Sequence, residues 1–233
     1  MKACLLIHGF TGSPFEIEPL AEALRQQGYI VETPVLAGHG HDEDLQDVYW
    51  TDWIQSAEDA LREMIERYET VYLIGFSMGA LISAYLSTKY PVKKLVLLSP
   101  AIYCINYKQL FCTMSEAIKK KFAGDKIEGL ASELKKYLQK ATNTPIRSVI
   151  HFRQLAEQLT PSFAYVTAPT LIIQGHKDVI VEPSSATKAY ETIQSVDKKL
   201  VFLDLSPHIV CHGEESELVN QHVIEFLASG SSA

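Results

Sequence analysis

Several features common in other protein classes are missing from this sequence. No apolar run approaches the roughly 18 residues that a membrane-spanning helix requires. The stretch before His8 offers only the five apolar residues ACLLI, too few for the core of a secretory signal peptide. Positive charge is also scarce: 21 Lys and Arg face 28 Asp and Glu, for a formal net charge of −7. This acidic balance argues against a nucleic-acid partner.

Paired cysteines and nucleotide-binding loops are absent as well. The four cysteines are scattered and form no CxxC motif. Without a secretion signal, they indicate reduced thiols in a cytoplasmic protein. Neither a GK[ST] phosphate loop nor a dinucleotide fingerprint occurs, so no cofactor is expected. What is present, 47% hydrophobic and 21% charged residues, is typical of a globular protein with ample material for a core.

Short apolar runs alternate with amphipathic segments along most of the chain. The predicted strands are 3–7, 29–35, 71–75, 93–99, 170–175 and 199–205. The first predicted helix follows a capping box of Ser13 and Glu16. Further helices are predicted at 52–68, 78–90, 184–194 and 215–228. Strands alternating with helices predict an α/β fold, a mostly parallel sheet of about six strands flanked by helices.

The alternation stops between residues 101 and 160. No strand pattern occurs there, and helical periodicity marks 130–141 and 150–159. The segment is predicted to be a small helical cap inserted after the fourth strand, with 1–100 and 161–228 forming the core and 229–233 a disordered tail. It carries ten Lys or Arg and five Asp or Glu and is therefore basic, whereas the rest of the chain is acidic.

The stretch VYLIGFSMGALIS at 71–83 contains a G-x-S-x-G motif between a predicted strand and a predicted helix. In this position the motif predicts a nucleophile elbow, a sharp turn that exposes the hydroxyl of Ser77 at a helix N-terminus. Side chains larger than hydrogen at positions 75 and 79 would collide with neighbouring elements, which explains Gly75 and Gly79. The alternative is a tight helix start without chemistry.

A serine nucleophile needs a base, and the base needs an acid that fixes its tautomer. Asp178 follows the fifth predicted strand and His208 follows the sixth, in the order Ser, acid, His. His212 is the rival for the base. Asp178 could also be an ordinary turn carboxylate, since Asp favours turns.

An oxyanion hole requires two backbone N–H donors. One is expected from Met78, directly after the nucleophile, and the other from Phe10 in the loop HGFTG at 8–12. The ring of Phe10 is also a candidate wall of an acyl pocket. A glycine-rich turn into a helix is a compatible description of the same loop.

Two other features of the sequence suggest different chemistry: a run of potential metal ligands and a cysteine near His208. GHGHDED at 38–44 brings His39, His41, Asp42 and Asp44 close together, but the order of ligands matches no zinc spacing, and no metal is expected. Cys211 lies three residues after His208. A packed thiol is the preferred interpretation, because Ser77 already supplies a nucleophile.

The chain resembles the α/β-hydrolase superfamily over essentially its whole length. HGFTG, GHG at 38–40, GFSMG, G-x-x-D-x-x-V-x-P at 175–183 and the late histidine occur in family order. It looks most like small bacterial carboxylesterases and monoacylglycerol lipases, which carry a short helical cap after the fourth strand. One departure is Pro207, where many relatives have Gly before the histidine.

The resemblance implies Ser77 as nucleophile, His208 as base, Asp178 as orienting acid, and Phe10 and Met78 as oxyanion donors. It implies a serine esterase, acting through an acyl-enzyme on short- to medium-chain acyl esters, including monoacylglycerols. Alternatives are thioester, amide or carbon–carbon cleavage by the same triad, or a non-catalytic small-molecule receptor.

The cap is the predicted source of substrate contacts. Leu130, Leu134 and Leu138 repeat at helical spacing and are candidates for covering an acyl chain. The basic side of the cap would make transient contact with an anionic lipid or micelle surface. The alternative is an ordinary solvated helical face, since Lys usually ends in water.

Overall fold

The computed structural model describes residues 2–40, 44–103 and 144–230. They form a six-stranded sheet in the order β2-β1-β3-β4-β5-β6, and every neighbouring pair is parallel. The strands are β1 (Lys2–Ile7), β2 (Ile30–Glu32), β3 (Thr70–Phe76), β4 (Lys94–Leu98), β5 (Thr170–Gly175) and β6 (Lys198–Leu203). The predicted α/β fold with six parallel strands is confirmed.

Helices cover both faces of the sheet. They are α1 (Glu18–Gln26), α2 (Trp50–Arg67), α3 (Met78–Ser87), α4 (Ile146–Leu159), α5 (Ser184–Thr192) and α6 (Ser216–Ala228), with 3₁₀ turns at Pro14–Ile17, Thr160–Tyr165 and Val210–His212. Helices α1 and α6 contribute to one apolar cluster, and α2 to α5 contribute to the other. Because both faces are covered, β1, β3, β4 and β5 are buried almost throughout, which explains their nearly continuous apolar runs.

The strand order changes direction at β1, which lies between β2 and β3. The loop after β1 therefore leads to one side of the sheet, and the loop after β3 leads to the other. In open parallel sheets this reversal leaves a crevice at the carboxyl ends of the strands. HGFTG and the Ser77 turn lie on its two sides.

Some local expectations differ from the structure. The second strand is shorter than predicted, Ile30–Glu32 instead of 29–35. The capping box is wrong: Ser13 makes no side-chain cap hydrogen bond. Pro14 instead starts a 3₁₀ turn, and Glu16 accepts a hydrogen bond from the backbone N–H of Gly9. The carboxylate is thus directed toward the loop after β1.

The last helix of the predicted cap, α4, packs closely on the core. Phe152 and Leu155 are fully buried in the cluster that also contains α2 and α3. The predicted helix at 130–141, and with it Leu130, Leu134 and Leu138, lies outside the described residues. Among the tail residues, Ser229 is described, and it accepts a hydrogen bond from Lys94 Nζ.

No helix within the described ranges is long and apolar enough to cross a membrane.

Candidate active site

Ser77 lies between the end of β3 and the start of α3 in a strained conformation. Its φ is 55° and its ψ is −114°, a region that non-glycine residues rarely adopt. Three backbone hydrogen bonds hold it there: its N–H donates to Leu98, and its carbonyl accepts from Ala80 and Ala101. Such strain costs on the order of 1–3 kcal/mol and is found mainly where function requires it.

The two glycines of the motif are required by close backbone contacts. A Cβ atom at Gly75 would lie 2.2 Å from the carbonyl oxygen of Gly79, and one at Gly79 would lie 2.2 Å from that of Ile7. The start of α3 can approach β1 and β3 this closely only because both positions lack a side chain. The predicted reason for Gly75 and Gly79 is therefore correct.

The structure brings the three predicted catalytic side chains together. His208 Nε2 lies 2.9 Å from Ser77 Oγ, and His208 Nδ1 lies 2.7 Å from Asp178 Oδ2. All three are at least 94% buried. An ionised carboxylate can only accept, so in the neutral imidazole Nδ1 carries the proton, and Nε2 is left to accept from the serine hydroxyl.

Asp178 is buried but well supplied with donors. Its Oδ1 accepts from the backbone N–H groups of Ile180 and Val181, and its Oδ2 accepts from His208. Burial alone would raise the pKa of this carboxyl group. The positive charge that His208 carries when protonated, its hydrogen bond and the two backbone donors outweigh burial, and the pKa lies below its ordinary value. The carboxylate is therefore held ionised beside the imidazole.

Two further side chains support the triad, and no sequence pattern predicted either of them. Gln174 in β5 is fully buried, and its Nε2 donates to Asp178 Oδ2 at 2.8 Å. Ser99, directly after β4, donates from Oγ to the backbone carbonyl of His208 at 2.9 Å. Each comes directly after a run of apolar strand residues. Polar residues commonly occupy such positions, so no local pattern marks these two as partners of the triad.

The two predicted oxyanion donors lie on the two sides of the crevice. Met78 is the first residue of α3, where the backbone N–H has no acceptor within the helix. Phe10 lies in the loop after β1, and its ring is 3% exposed. That ring stacks on Phe152 of α4 at 4.9 Å between centroids and also contacts Trp53 of α2. The loop is therefore anchored to the helical layer through this ring.

Backbone strain is concentrated at this edge of the sheet. The described residues include three non-glycine positions with positive φ: Thr11, Ser77 and Ser99. They follow β1, β3 and β4, three neighbouring strands whose carboxyl ends border the crevice. Strain of this kind persists only where surrounding contacts fix it, and it clusters at functional sites.

The competing candidates lie elsewhere. His212 Nε2 is 2.6 Å from the carbonyl oxygen of Phe15, and its ring stacks on the ring of that residue. Cys211 is 1% exposed, and burial raises the pKa of its thiol to about 12, which fits the predicted packed thiol.

The GHGHDED cluster is only partly described, since His41 and Asp42 lie outside the described residues. His39 Nε2 accepts from the backbone N–H of Thr11, so Nδ1 carries the proton and donates to Ala37. Asp44 accepts from the N–H of Gln46. The described residues contain no group of three or more potential metal ligands.

Comparison with known proteins identifies a hydrolase family. The Hydrolase_4 family model, described as serine aminopeptidase, S33, matches residues 1–216. The chain is 28% identical to a thermostable monoacylglycerol lipase of Bacillus sp. (strain H-257), covering 96% of this chain and 89% of that protein. It is 27% identical to a carboxylesterase of Bacillus subtilis (strain 168), covering 97% and 92% respectively.

Solved structures show the same architecture. A structure reported with LipS and LipT, two metagenome-derived lipolytic enzymes, superposes with a TM-score of 0.74 at 25% sequence identity. The match covers 97% of this chain and 93% of that one. With the parallel sheet, the strained serine turn and a family match over most of its length, the chain belongs to the serine aminopeptidase, S33 family of α/β hydrolases.

Proposed function

We propose that this hydrolase cleaves carboxylic esters through an acyl-enzyme formed on Ser77. The observation that carries the proposal is the continuous hydrogen-bonded chain from Ser77 Oγ through the imidazole of His208 to Asp178 Oδ2. It gives the hydroxyl a neutral acceptor at 2.9 Å and fixes the tautomer of that acceptor. A tight turn with a merely structural serine does not require this arrangement.

In the acylation step, Ser77 Oγ attacks the ester carbonyl carbon while its proton moves to His208 Nε2. The carbonyl π electrons move onto oxygen, and the backbone N–H groups of Phe10 and Met78 stabilise the oxyanion. Collapse of the tetrahedral intermediate breaks the bond to the alcohol oxygen. The proton on Nε2 passes to that oxygen, and the alcohol leaves. Asp178 stays ionised throughout and stabilises the imidazolium.

Deacylation reverses these roles with water as the nucleophile. His208 Nε2 takes a proton from water, the hydroxide attacks the acyl carbon, and the same two N–H groups stabilise the second oxyanion. The tetrahedral intermediate then collapses by breaking its bond to Ser77 Oγ, that oxygen takes the proton from Nε2, and the acid is released. Apart from the substrate and this water, the two half-reactions use the chain's own residues.

Short- to medium-chain acyl esters, including monoacylglycerols, are the proposed substrates. The names of the two Bacillus relatives, monoacylglycerol lipase and carboxylesterase, support carboxylic esters and monoacylglycerols. In the proposal, Phe10 lines the acyl site, Leu130, Leu134 and Leu138 cover the acyl chain, and the basic cap meets an anionic lipid or micelle surface. Buried, unpaired Cys4 and Cys211 are in keeping with the proposed cytoplasmic location.

A second candidate activity is amide cleavage, because the matching family is described as serine aminopeptidase. The same triad attacks amides, but an amine leaving group must be protonated as the bond breaks. Substrate choice thus separates the two candidates where fold does not.

The test is a substrate panel with wild type and Ser77→Ala. p-Nitrophenyl esters from acetate to palmitate, 1-monoacylglycerols, acyl thioesters and aminoacyl anilides are compared by kcat/KM. We expect the highest values for esters of short to medium chain length, and a loss in Ser77→Ala of on the order of 10⁴-fold or more. A preference for anilides, or equal turnover by Ser77→Ala, would contradict the proposal.

A further inference from the structure

The loop after β1 carries the proposed oxyanion donor, and side chains from two other segments hold it. We propose that Glu16 and His39 are positioning residues for the Phe10 N–H, because they fix the backbone amides on either side of it. This inference rests on the proposed oxyanion role of Phe10. No local sequence motif identifies the residues that set the direction of this N–H group.

Gly9 and Thr11, the two residues next to Phe10, both donate to side chains. The N–H of Gly9 donates to Glu16 Oε2 at 2.8 Å, and the N–H of Thr11 donates to His39 Nε2 at 3.1 Å. Glu16 is 1% exposed and His39 is 3% exposed, so water does not replace either acceptor easily. Removal of an acceptor would leave a buried N–H without its partner.

The peptide that carries the Phe10 N–H is also held at its carbonyl end. The carbonyl oxygen of Gly9 accepts from Gly12 N–H at 3.2 Å and from His8 Nδ1 at 2.8 Å. A trans peptide is planar, and its N–H points opposite to its C=O. Once that carbonyl and the two neighbouring amides are fixed, the Phe10 N–H has one direction.

The loop is shaped around the Glu16 carboxylate. A Cβ atom at Gly12 would lie 2.0 Å from Glu16 Oε2, and one at Gly9 would lie 3.1 Å from the same oxygen. The carboxylate therefore occupies the space that side chains at these positions would fill. This contact explains why position 12 is glycine, because the backbone conformation there does not itself require one.

His39 ties the loop to the segment after β2. His8 Nε2 accepts from the N–H of Leu36, while His39 Nε2 accepts from the N–H of Thr11. Each loop thus supplies one imidazole acceptor to the other, and the two rings lie 5.0 Å apart. Thr11 has a φ of 59°, and the contact with His39 helps to hold this strained residue.

The experiment separates the acceptor atom from side-chain size. Glu16→Met and His39→Leu replace the acceptor with an apolar side chain of similar size. Glu16→Gln and His39→Gln keep an oxygen acceptor. Glu18→Gln, an exposed position two residues from Glu16, is the control. The readouts are the second-order rate of Ser77 labelling by a fluorophosphonate, kcat and KM per labelled site, Ki for a trifluoromethyl ketone, and Tm.

We expect Glu16→Met and His39→Leu to lower both the labelling rate and kcat by about tenfold to a hundredfold. This is part of the loss on the order of 10²–10³ that removal of one oxyanion donor causes. KM should change little, and Ki for the ketone should rise by the factor by which kcat/KM falls. The two Gln variants should recover most of the rate, and Glu18→Gln should equal wild type.

Three outcomes would overturn the inference. One is an unchanged labelling rate per site in both apolar variants, even if their Tm falls. Another is Gln variants as slow as the apolar ones, and the third is a lower kcat without weaker ketone binding. If esters are not turned over but labelling still slows in the apolar variants, the proposed function fails and the positioning role stands. Absence of labelling in the wild type would contradict both.

Discussion

Substitution of Gly79 by alanine tests how closely the serine turn must approach β1. The new Cβ would lie 2.2 Å from the carbonyl oxygen of Ile7 and 2.6 Å from that of His8. Ordinary contact needs about 3.5 Å, so the start of α3 and the end of β1 must separate by roughly 1 Å. Both contacts are with backbone, which cannot rotate away as a flexible side chain would.

This separation would act on both stability and catalysis. Overpacking of a rigid contact costs about 1–3 kcal/mol of unfolding free energy. The same movement carries Ser77 away from the loop of Phe10, and a 1 Å misplacement can cost on the order of 10²-fold in rate. We therefore expect Gly79→Ala to lower kcat for a p-nitrophenyl ester about a hundredfold per correctly folded molecule, with the folded fraction measured by urea unfolding.

Gly28→Ala is the matched control. No atom lies within 4 Å of its Cβ position, but its φ is +82°, so alanine there suffers only backbone strain of about 1–2 kcal/mol. Gly28 lies between α1 and the start of β2, at the opposite edge of the sheet from the crevice. We expect lower stability with unchanged kcat. If Gly79→Ala keeps wild-type kcat, or both variants lose it equally, the steric reasoning is refuted.

Three other outcomes are expected. His208→Ala should lower kcat by on the order of 10⁴-fold or more, while His212→Ala should change it little; steady-state kinetics that rank the two in reverse would refute the assignment of the base. Gln174→Met removes a buried donor to Asp178 without a large change in volume, so unfolding free energy should fall by about 1.5–3 kcal/mol in urea titrations at neutral pH, and no loss would contradict the role given to this amide. The lowered pKa of Asp178 means that its carboxylate stabilises the fold above about pH 3.9, its ordinary value, and that this contribution is lost as pH falls through the lower folded-state pKa. Unfolding free energy of Asp178→Asn should accordingly fall less steeply than that of wild type below about pH 4, and parallel curves would contradict the shift.

The parts of the site that follow from sequence are those encoded locally. The turn at Ser77 is marked by two glycines and by the change from strand to helix, and both features act within a few residues. The position of Asp178 and His208 after consecutive strands predicts that they lie close together, because parallel strands bring their carboxyl ends to one edge of the sheet. Their contacts in the structure agree with that placement.

The parts that sequence did not predict depend on distant contacts. Glu16 lies three residues after Ser13, and that spacing is typical of a capping box. The structure instead directs its carboxylate to Gly9, because a 3₁₀ turn precedes α1. Gln174 is one of six buried residues in β5, and its role depends on the loop that brings Asp178 back toward the strand. Neither partner can be found from local periodicity.

The most direct test of the central claim is the site and rate of covalent labelling. Wild type and His208→Ala are treated with a fluorophosphonate, and the adduct is located by intact mass and peptide mapping. We expect one adduct per chain, on Ser77, with labelling slowed by several orders of magnitude in His208→Ala. An adduct on another residue, or equal labelling rates in the two proteins, would contradict the claim.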